Sequence, residues 1–319
     1  MPARLLKISG TGHPSLSERR FQALGTDCHV LAVEASAERM DGAVEHISAA
    51  HRRFTRFESE SELSRLNAAA GGWHAISTDL EALLRAALRS WEETAGWVHA
   101  GVLPALLAAG YTRPLRLGPS PAHGPPGPPP PLPTMLAVLP GRARLRAGTA
   151  IDLGGIAKGW LADQLAGWLA PNCLVNLGGD LFARGGGPDD AGWPVRMAGV
   201  TLLLRDQGAA TSSSQRRSWW SAGGRQHHLI DPRTGRPSES DLAEVSVVAT
   251  SALEAEMWAK TGLLLGSEQA PLLLIGRTLG FWLGMQGEAG LPLQNPTRPA
   301  GRETSVNARL PTQAVSLSD

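Results

Sequence analysis

The run Asp152-Leu-Gly-Gly-Ile-Ala-Lys-Gly-Trp-Leu-Ala-Asp163 constrains the fold more than any other stretch of this chain. Ala150 and Ile151 have strand character, a glycine pair follows, and a helical pattern opens beyond it. A strand–turn–helix of this kind leaves backbone N–H groups and a helix N-terminus facing whatever occupies the turn, which suits phosphate. Lys158 stands in the first turn of that helix. It is one of only three lysines, with Lys7 and Lys260, in a chain whose other basic residues are arginine. Taken alone, the run is equally a packed strand–turn–helix whose glycines permit close approach.

The elements around it come in runs. Phe21 to Val33 reads as a strand interrupted at Gly25-Thr26, and Asp41 to Phe54 has helical spacing. Ser61 to Asn67 reads as a short helix with Ser59 or Ser61 as its cap. Thr78 to Thr94 reads as a strong helix with Thr78 as cap and Glu81 completing a capping box. Residues 114–133 are rich in Pro and Gly and form a surface loop or polyproline spacer, since they cannot form a helix or a central strand. Short strands are expected at Met135–Leu139 and Arg142–Arg146, and another strand at Cys173–Leu177. Further short strands fill 193–230, followed by a strand at Ala243–Thr250, a helix at Leu253–Leu265 and a strand pair within Leu272–Met285. This order argues for an α+β fold, with mixed or antiparallel sheets flanked by helices, rather than a doubly wound sheet. One domain is expected over 21–290, between a loose tail at 1–20 and a disordered tail at 291–319.

Bulk properties exclude several classes. Net charge is +1, so nothing points to nucleic acid or an anionic membrane surface. No window reaches the length of a membrane span and Met1 to Arg20 lacks a signal-peptide core, so the chain reads as soluble and cytoplasmic. Cys28 and Cys173 have no metal-site spacing and read as buried small residues, with a disulfide left open.

Four further polar clusters join the opening run. They are Arg56-Phe57 with Ser61-Glu-Leu-Ser-Arg-Leu-Asn67; Asn176-Leu-Gly178-Gly179-Asp180; Ala210-Thr211-Ser212-Ser213-Ser214 with Arg216-Arg217; and His227-His228-Leu-Ile-Asp231-Pro-Arg-Thr-Gly-Arg-Pro237. Hydroxyls beside guanidinium groups can hold phosphate, and Asp-Pro-Arg-Thr-Gly is a well-formed turn.

Together with Gly25-Thr26, these motifs in this order closely resemble the FAD:protein FMN transferase family, the ApbE-type flavin transferases, over about Phe21 to Met285. The resemblance implies a T-fold-like α+β enzyme that binds FAD and Mg²⁺, places FMN on a Thr or Ser hydroxyl of a partner flavoprotein, and releases AMP. The alternatives are a carrier that holds FAD without cleaving it, independently of metal, and an FAD pyrophosphatase. By similarity, His228 is the catalytic histidine, and Lys158 with the glycine turn neutralises phosphate charge. The flavin-nucleotide pocket would draw on Leu24, Phe57, Val98, His99, Asp152 and Lys158. It would also use Gly178, Gly179, Asp180, Thr211, Ser212 and the backbone near Ala243. The metal would be held by the Gly155 carbonyl and Glu256.

The chain departs from that pattern in three places. The metal helix, usually Ala-Asp-Ala-x-Ala-Thr, reads Ala255-Glu256-Met-Trp-Ala-Lys260-Thr261, so a lysine stands where the hydroxyl ligand belongs. Either Lys260 takes the metal's place, or Glu256 and Lys260 form an ordinary i,i+4 pair. His99 stands where an Asp is usual, and Ser213 where Gly is common.

Overall fold

The computed structural model describes residues 14–69, 71–221 and 224–287, and the backbone of 315–316. Its centre is a seven-stranded sheet in which every neighbouring pair is antiparallel. Across the sheet, the strands run Leu16–Ala23, Thr26–Val33, Cys173–Leu177, Asp180–Arg184, Gln207–Ser213, Leu242–Ala249 and Gly280–Met285. The α+β class read from the sequence is the class observed.

Both faces of the sheet are covered, and the pleat sorts the side chains. Val30, Ala32, Cys173, Val175 and Leu177 join the larger core beneath the helices. Leu31 and Leu174, one residue out of phase, join a second core with Trp193, Val195 and Met197. That second core lies under the antiparallel hairpin Trp193–Met197 and Val200–Leu204. Cys28 and Cys173 are both buried free thiols in neighbouring strands, so no disulfide is present.

Two helices form the centre of the other layer. Ala157–Leu169 buries Trp160, Leu161, Ala162, Leu165 and Ala166, and it packs on Ala252–Leu274 at the turn where that helix begins. Gly159 permits this approach, because a Cβ there would lie 2.5 Å from the Ala252 carbonyl oxygen. Each helix therefore presents its first turn to the other's flank.

Several boundaries move from the sequence reading, each for a local reason. The first strand starts at Leu16, so Leu16–Arg20 of the expected tail pair with His29–Val33 through a two-residue Leu24-Gly25 turn. The rest of that tail, 1–13, and most of the C-terminal tail lie outside the described residues. Val315–Ser316 are an exception, pairing parallel with Val195–Arg196. Ser77, not Thr78, caps the Thr78–Glu93 helix, accepting from the Leu80 N–H at 3.2 Å. The reciprocal acid is Glu62 from the preceding helix, which accepts from the Ser77 backbone N–H and, at 2.9 Å, from its hydroxyl. Glu81 instead accepts from the Gly141 N–H at 2.8 Å. The expected strand pair within Leu272–Met285 is one strand, Gly280–Met285, because helical structure resumes after a break at Gly266 and runs to Leu274.

The Pro-rich segment has a short 3₁₀ turn at Leu115–Leu117 and enters a helix at Leu132. It is tied down by the Pro130 carbonyl, which accepts from His99 Nε2 at 3.0 Å, and by the His123 N–H, which donates to Ala108 at 2.7 Å.

Candidate functional site

The glycine turn delivers Lys158 into a buried ionic cluster. Its ammonium pairs with Asp180 and lies 3.4 Å from Glu256 Oε1. The other Glu256 oxygen accepts from the Gly159 N–H at 2.8 Å, so one carboxylate binds both the lysine and the helix start. Asp180 closes the Asn176–Asp180 turn, in which Asn176 Oδ1 accepts from the Gly179 N–H at 2.9 Å. Gly178 there has φ +73° and no room for a Cβ, which would run into Thr26 of the first hairpin. The three glycine-bearing motifs thus meet at one place. Burial is the largest influence on Lys158 and pulls its ammonium down to about 8, against the attraction of Glu256.

Glu256 and Lys260 both stand on the first turns of the Ala252–Leu274 helix. Asp163 holds the head of that helix, accepting from the Ala252 and Leu253 N–H groups at 2.7 and 3.0 Å. Lys260 Nζ donates to the Gly155 carbonyl at 2.6 Å. Burial lowers its pKa, while Glu256 and Asp152 act in the opposite sense.

The expected metal ligands Gly155 and Glu256 lie at the facing heads of the two helices, each already engaged, and the set does not fit a divalent ion. The carbonyl already accepts from an ammonium, and both Glu256 oxygens serve other donors. Thr261 is wholly buried and donates to the Met257 carbonyl at 2.9 Å, so it supplies nothing. Among the described residues, no group of three or more His, Cys, Asp or Glu is arranged to hold a metal. Mg²⁺ asks for a near-octahedral shell of oxygens, which is absent here from the protein side.

The two adjacent histidines differ sharply. His227 is locked: its Nε2 donates to the Ser238 carbonyl at 2.9 Å, and its Nδ1 accepts from the Leu229 N–H at 3.3 Å, a tautomer assigned from those partners. His228 has a buried Nδ1 with no partner. Burial first, then the charges of Arg217, Lys260, His227 and Lys158, hold its pKa well below the ordinary value. Burial and these like charges favour the neutral imidazole over the protonated one. Arg217 came from the hydroxyl-and-arginine cluster in the sequence, and its charge bears on His228, Lys158 and Lys260 alike.

Beside this cluster lies an aromatic end. The Arg56 guanidinium sits 4.2 Å from the Phe57 ring centroid and 4.5 Å from that of Tyr111, the only tyrosine in the chain. Arg56 Nε pairs with Asp152 Oδ2 at 3.0 Å, while its Nη2 is buried without a partner. Asp152 Oδ1 accepts from the Gly154 N–H at 2.9 Å, stiffening the glycine turn. Tyr111 also packs against Trp219, with ring centroids 5.4 Å apart. Sequence reasoning named Arg56 within a polar cluster but missed Tyr111 and Trp219 as neighbours. Only the cationic–aromatic pair Arg56-Phe57 hinted at them.

The remaining expected residues have mixed placements. Leu24 takes φ +56° in the hairpin turn and packs against the larger core, while Thr26 of the same hairpin meets Gly178. Val98 is buried and its N–H donates to Thr94 Oγ1 at 3.0 Å, a core position. Both His99 nitrogens have protein partners, Gly101 N–H at 2.9 Å and the Pro130 carbonyl, so this ring anchors the Pro-rich segment. Thr211 shares a 2.8 Å hydrogen bond with Ser246, and Ser212 is buried in the same strand. The Ala243 carbonyl accepts from the Ser214 N–H at 3.0 Å, closing the hydroxyl-rich turn.

A profile of the ApbE family matches residues 24–279. An FAD:protein FMN transferase of Klebsiella pneumoniae is 34% identical over 126 residues, covering 37% of this chain and 39% of that protein. One from Treponema pallidum is 33% identical over 150 residues, covering 40% and 41%. The matched stretches thus span about two fifths of the length of these relatives. In structure, an ApbE protein from Thermotoga maritima superposes with a TM-score of 0.77 at 22% identity, covering 88% of this chain and 97% of that one. The flavinyl transferase ApbE from Pseudomonas stutzeri, apo form, superposes at 0.76 with 20% identity, covering 90% and 97%. At these identities the superpositions establish the fold.

Proposed function

The chain belongs to the ApbE family, and on that premise we propose that it binds FAD and transfers FMN to a hydroxyl of a protein acceptor. In the reaction, the acceptor's Ser or Thr oxygen bonds to the phosphorus of the FMN half. The bond from that phosphorus to the bridging oxygen breaks, and AMP leaves with that oxygen. The hydroxyl proton must go to a base.

The observation that carries the proposal is His228. It is a neutral imidazole with an unpartnered buried nitrogen, placed among Lys158, Lys260 and Arg217. An unprotonated imidazole can accept the hydroxyl proton, and an anionic pyrophosphate bound beside it would offset the cations that lower its basicity. The cations supply charge compensation for the oxygens. Arg56, with an unpartnered donor, and the adjoining Phe57 and Tyr111 rings offer a hydrogen bond and an aromatic wall for a flavin nucleotide.

A second reading, a protein that holds FAD without cleaving it, draws on one observation. The Lys260 ammonium occupies the carbonyl where a metal would assist the chemistry. Incubation of the purified chain with FAD and an acceptor flavoprotein separates the readings. Release of AMP with FMN-labelled protein, lost in His228→Ala, is the expected result. AMP with only free FMN would mean water is the acceptor. FAD bound but recovered intact would mean a carrier.

A further inference from the structure

Lys260 does not behave as the partner of an i,i+4 surface pair. Its hydrogen bond goes to the Gly155 carbonyl at 2.6 Å, whereas Glu256 spends its oxygens on the Gly159 N–H and on Lys158. The lysine thus crosses from one helix to the turn preceding the other. An ammonium has three N–H donors and the Gly155 carbonyl takes one, which leaves two for a ligand, and the charges of Lys158 and Arg217 act on the same region. With the lysine in this position, the ammonium occupies the Gly155 carbonyl and would repel a cation brought to the same oxygen. A divalent ion brought there would also meet Lys158 and Arg217 with too few free carboxylate oxygens to offset them.

We propose that the Lys260 ammonium is the resident cation of this site, donating to the pyrophosphate of the nucleotide where a divalent ion would otherwise sit, so that the chain binds its nucleotide without metal. The assignment rests on the flavin-nucleotide reading for the ligand, but its cation half stands on the chain's own geometry. Gly155 and Gly159 bring the two helix heads close enough for a four-carbon arm to bridge them, and Asp163 fixes the helix that carries it.

The experiment has two arms on the full chain. In the first, Mn²⁺ is added to nucleotide-free protein and the free-ion signal is followed by electron paramagnetic resonance. The expected result is no uptake by wild type. Uptake of one Mn²⁺ per chain overturns the lysine assignment and leaves the flavin reading intact. In the second, FAD and ADP are titrated in EDTA and in Mg²⁺. Wild-type FAD affinity is expected to agree within about twofold between the two buffers. Lys260→Met is expected to weaken FAD and ADP by about tenfold or more in both, the cost of one charge-assisted hydrogen bond. Riboflavin affinity should stay unchanged. FAD affinity that collapses in EDTA, or that survives Lys260→Met, overturns the proposal. Lys260→Gln gives the same reading if the Met variant folds poorly. Wild type that binds no FAD in either buffer overturns the flavin reading itself, whatever Mn²⁺ does.

Discussion

The two ends of the site are built by opposite means. At the ionic end, Lys158, Asp180, Glu256 and Lys260 satisfy one another or nearby backbone within three short motifs, each anchored by a glycine turn or a helix head. At the aromatic end, Arg56, Phe57, Tyr111 and Trp219 come from separate segments and meet by ring contact. Charge neutralisation needs fixed positions and low tolerance, because an unpaired buried charge is costly. A ring wall tolerates displacement, since dispersion is spread over many weak contacts. The ionic end should therefore set whether chemistry and nucleotide binding occur, and the aromatic end should tune affinity.

Replacing His228 by Ala tests the ionic end most severely. AMP release should fall by roughly 10²–10⁴-fold, the usual worth of a positioned base, while FAD affinity changes little. A comparable loss of affinity in this variant would mean that the imidazole mainly holds the ligand. Gly159→Ala attacks the scaffold instead, since its methyl would meet the Ala252 carbonyl. Thermal unfolding should show a loss of about 1–3 kcal/mol, typical of overpacking, with Lys260 pushed away from Gly155. Unchanged stability would show that the helix heads are not in close contact in solution.

The pH dependence follows from the two signs. Lys158, lowered to about 8, loses its charge as pH rises through that value. FAD affinity should then fall between pH 7 and 9, read by fluorescence titration. Lys158→Arg should flatten that fall, because a guanidinium keeps its charge. His228, held well below its ordinary value, stays neutral as pH falls from 8 to 6, so it contributes no loss of rate across that window. A rate that drops by half near pH 6.5 would contradict the burial of its imidazole among cations.

The smallest effect belongs to the aromatic end. Tyr111→Leu should weaken FAD by about 3–10-fold, corresponding to the ~0.5–1.5 kcal/mol of an aromatic pair. ADP, which lacks the isoalloxazine ring, should bind as before. An equal loss for ADP would place Tyr111 at the phosphates and erase the distinction between the two ends.

Helices and strands with clean periodicity were legible in the sequence, and so was the grouping of motifs that makes the site. Cys173–Leu177 falls where its pattern predicts, and the Asp152–Asp163 run does form a turn feeding a helix. Where local pattern failed, a distant partner decided. Ser77 took the cap from Thr78 because Glu62 of another helix reaches its N–H. Leu16–Arg20 became strand because Thr26–Val33 offers a pairing edge, although the segment itself is polar. Leu272–Leu274 stayed helical past Gly266 despite strand-like composition.

By itself, then, the amino-acid order determined the glycine turns, the helix whose first turn carries Lys158, and the placing of a carboxylate and a lysine four residues apart on one helix. Only the tertiary structure decided what those side chains touch. Lys260 rests on Gly155 rather than on Glu256, His228 keeps a free nitrogen while His227 does not, and Arg56 packs against both the Phe57 and Tyr111 rings. The physical reason is common to all three. Backbone conformation follows from neighbours in sequence, whereas the partner of a long or charged side chain is set by which remote backbone or ring packing brings within about 3–5 Å.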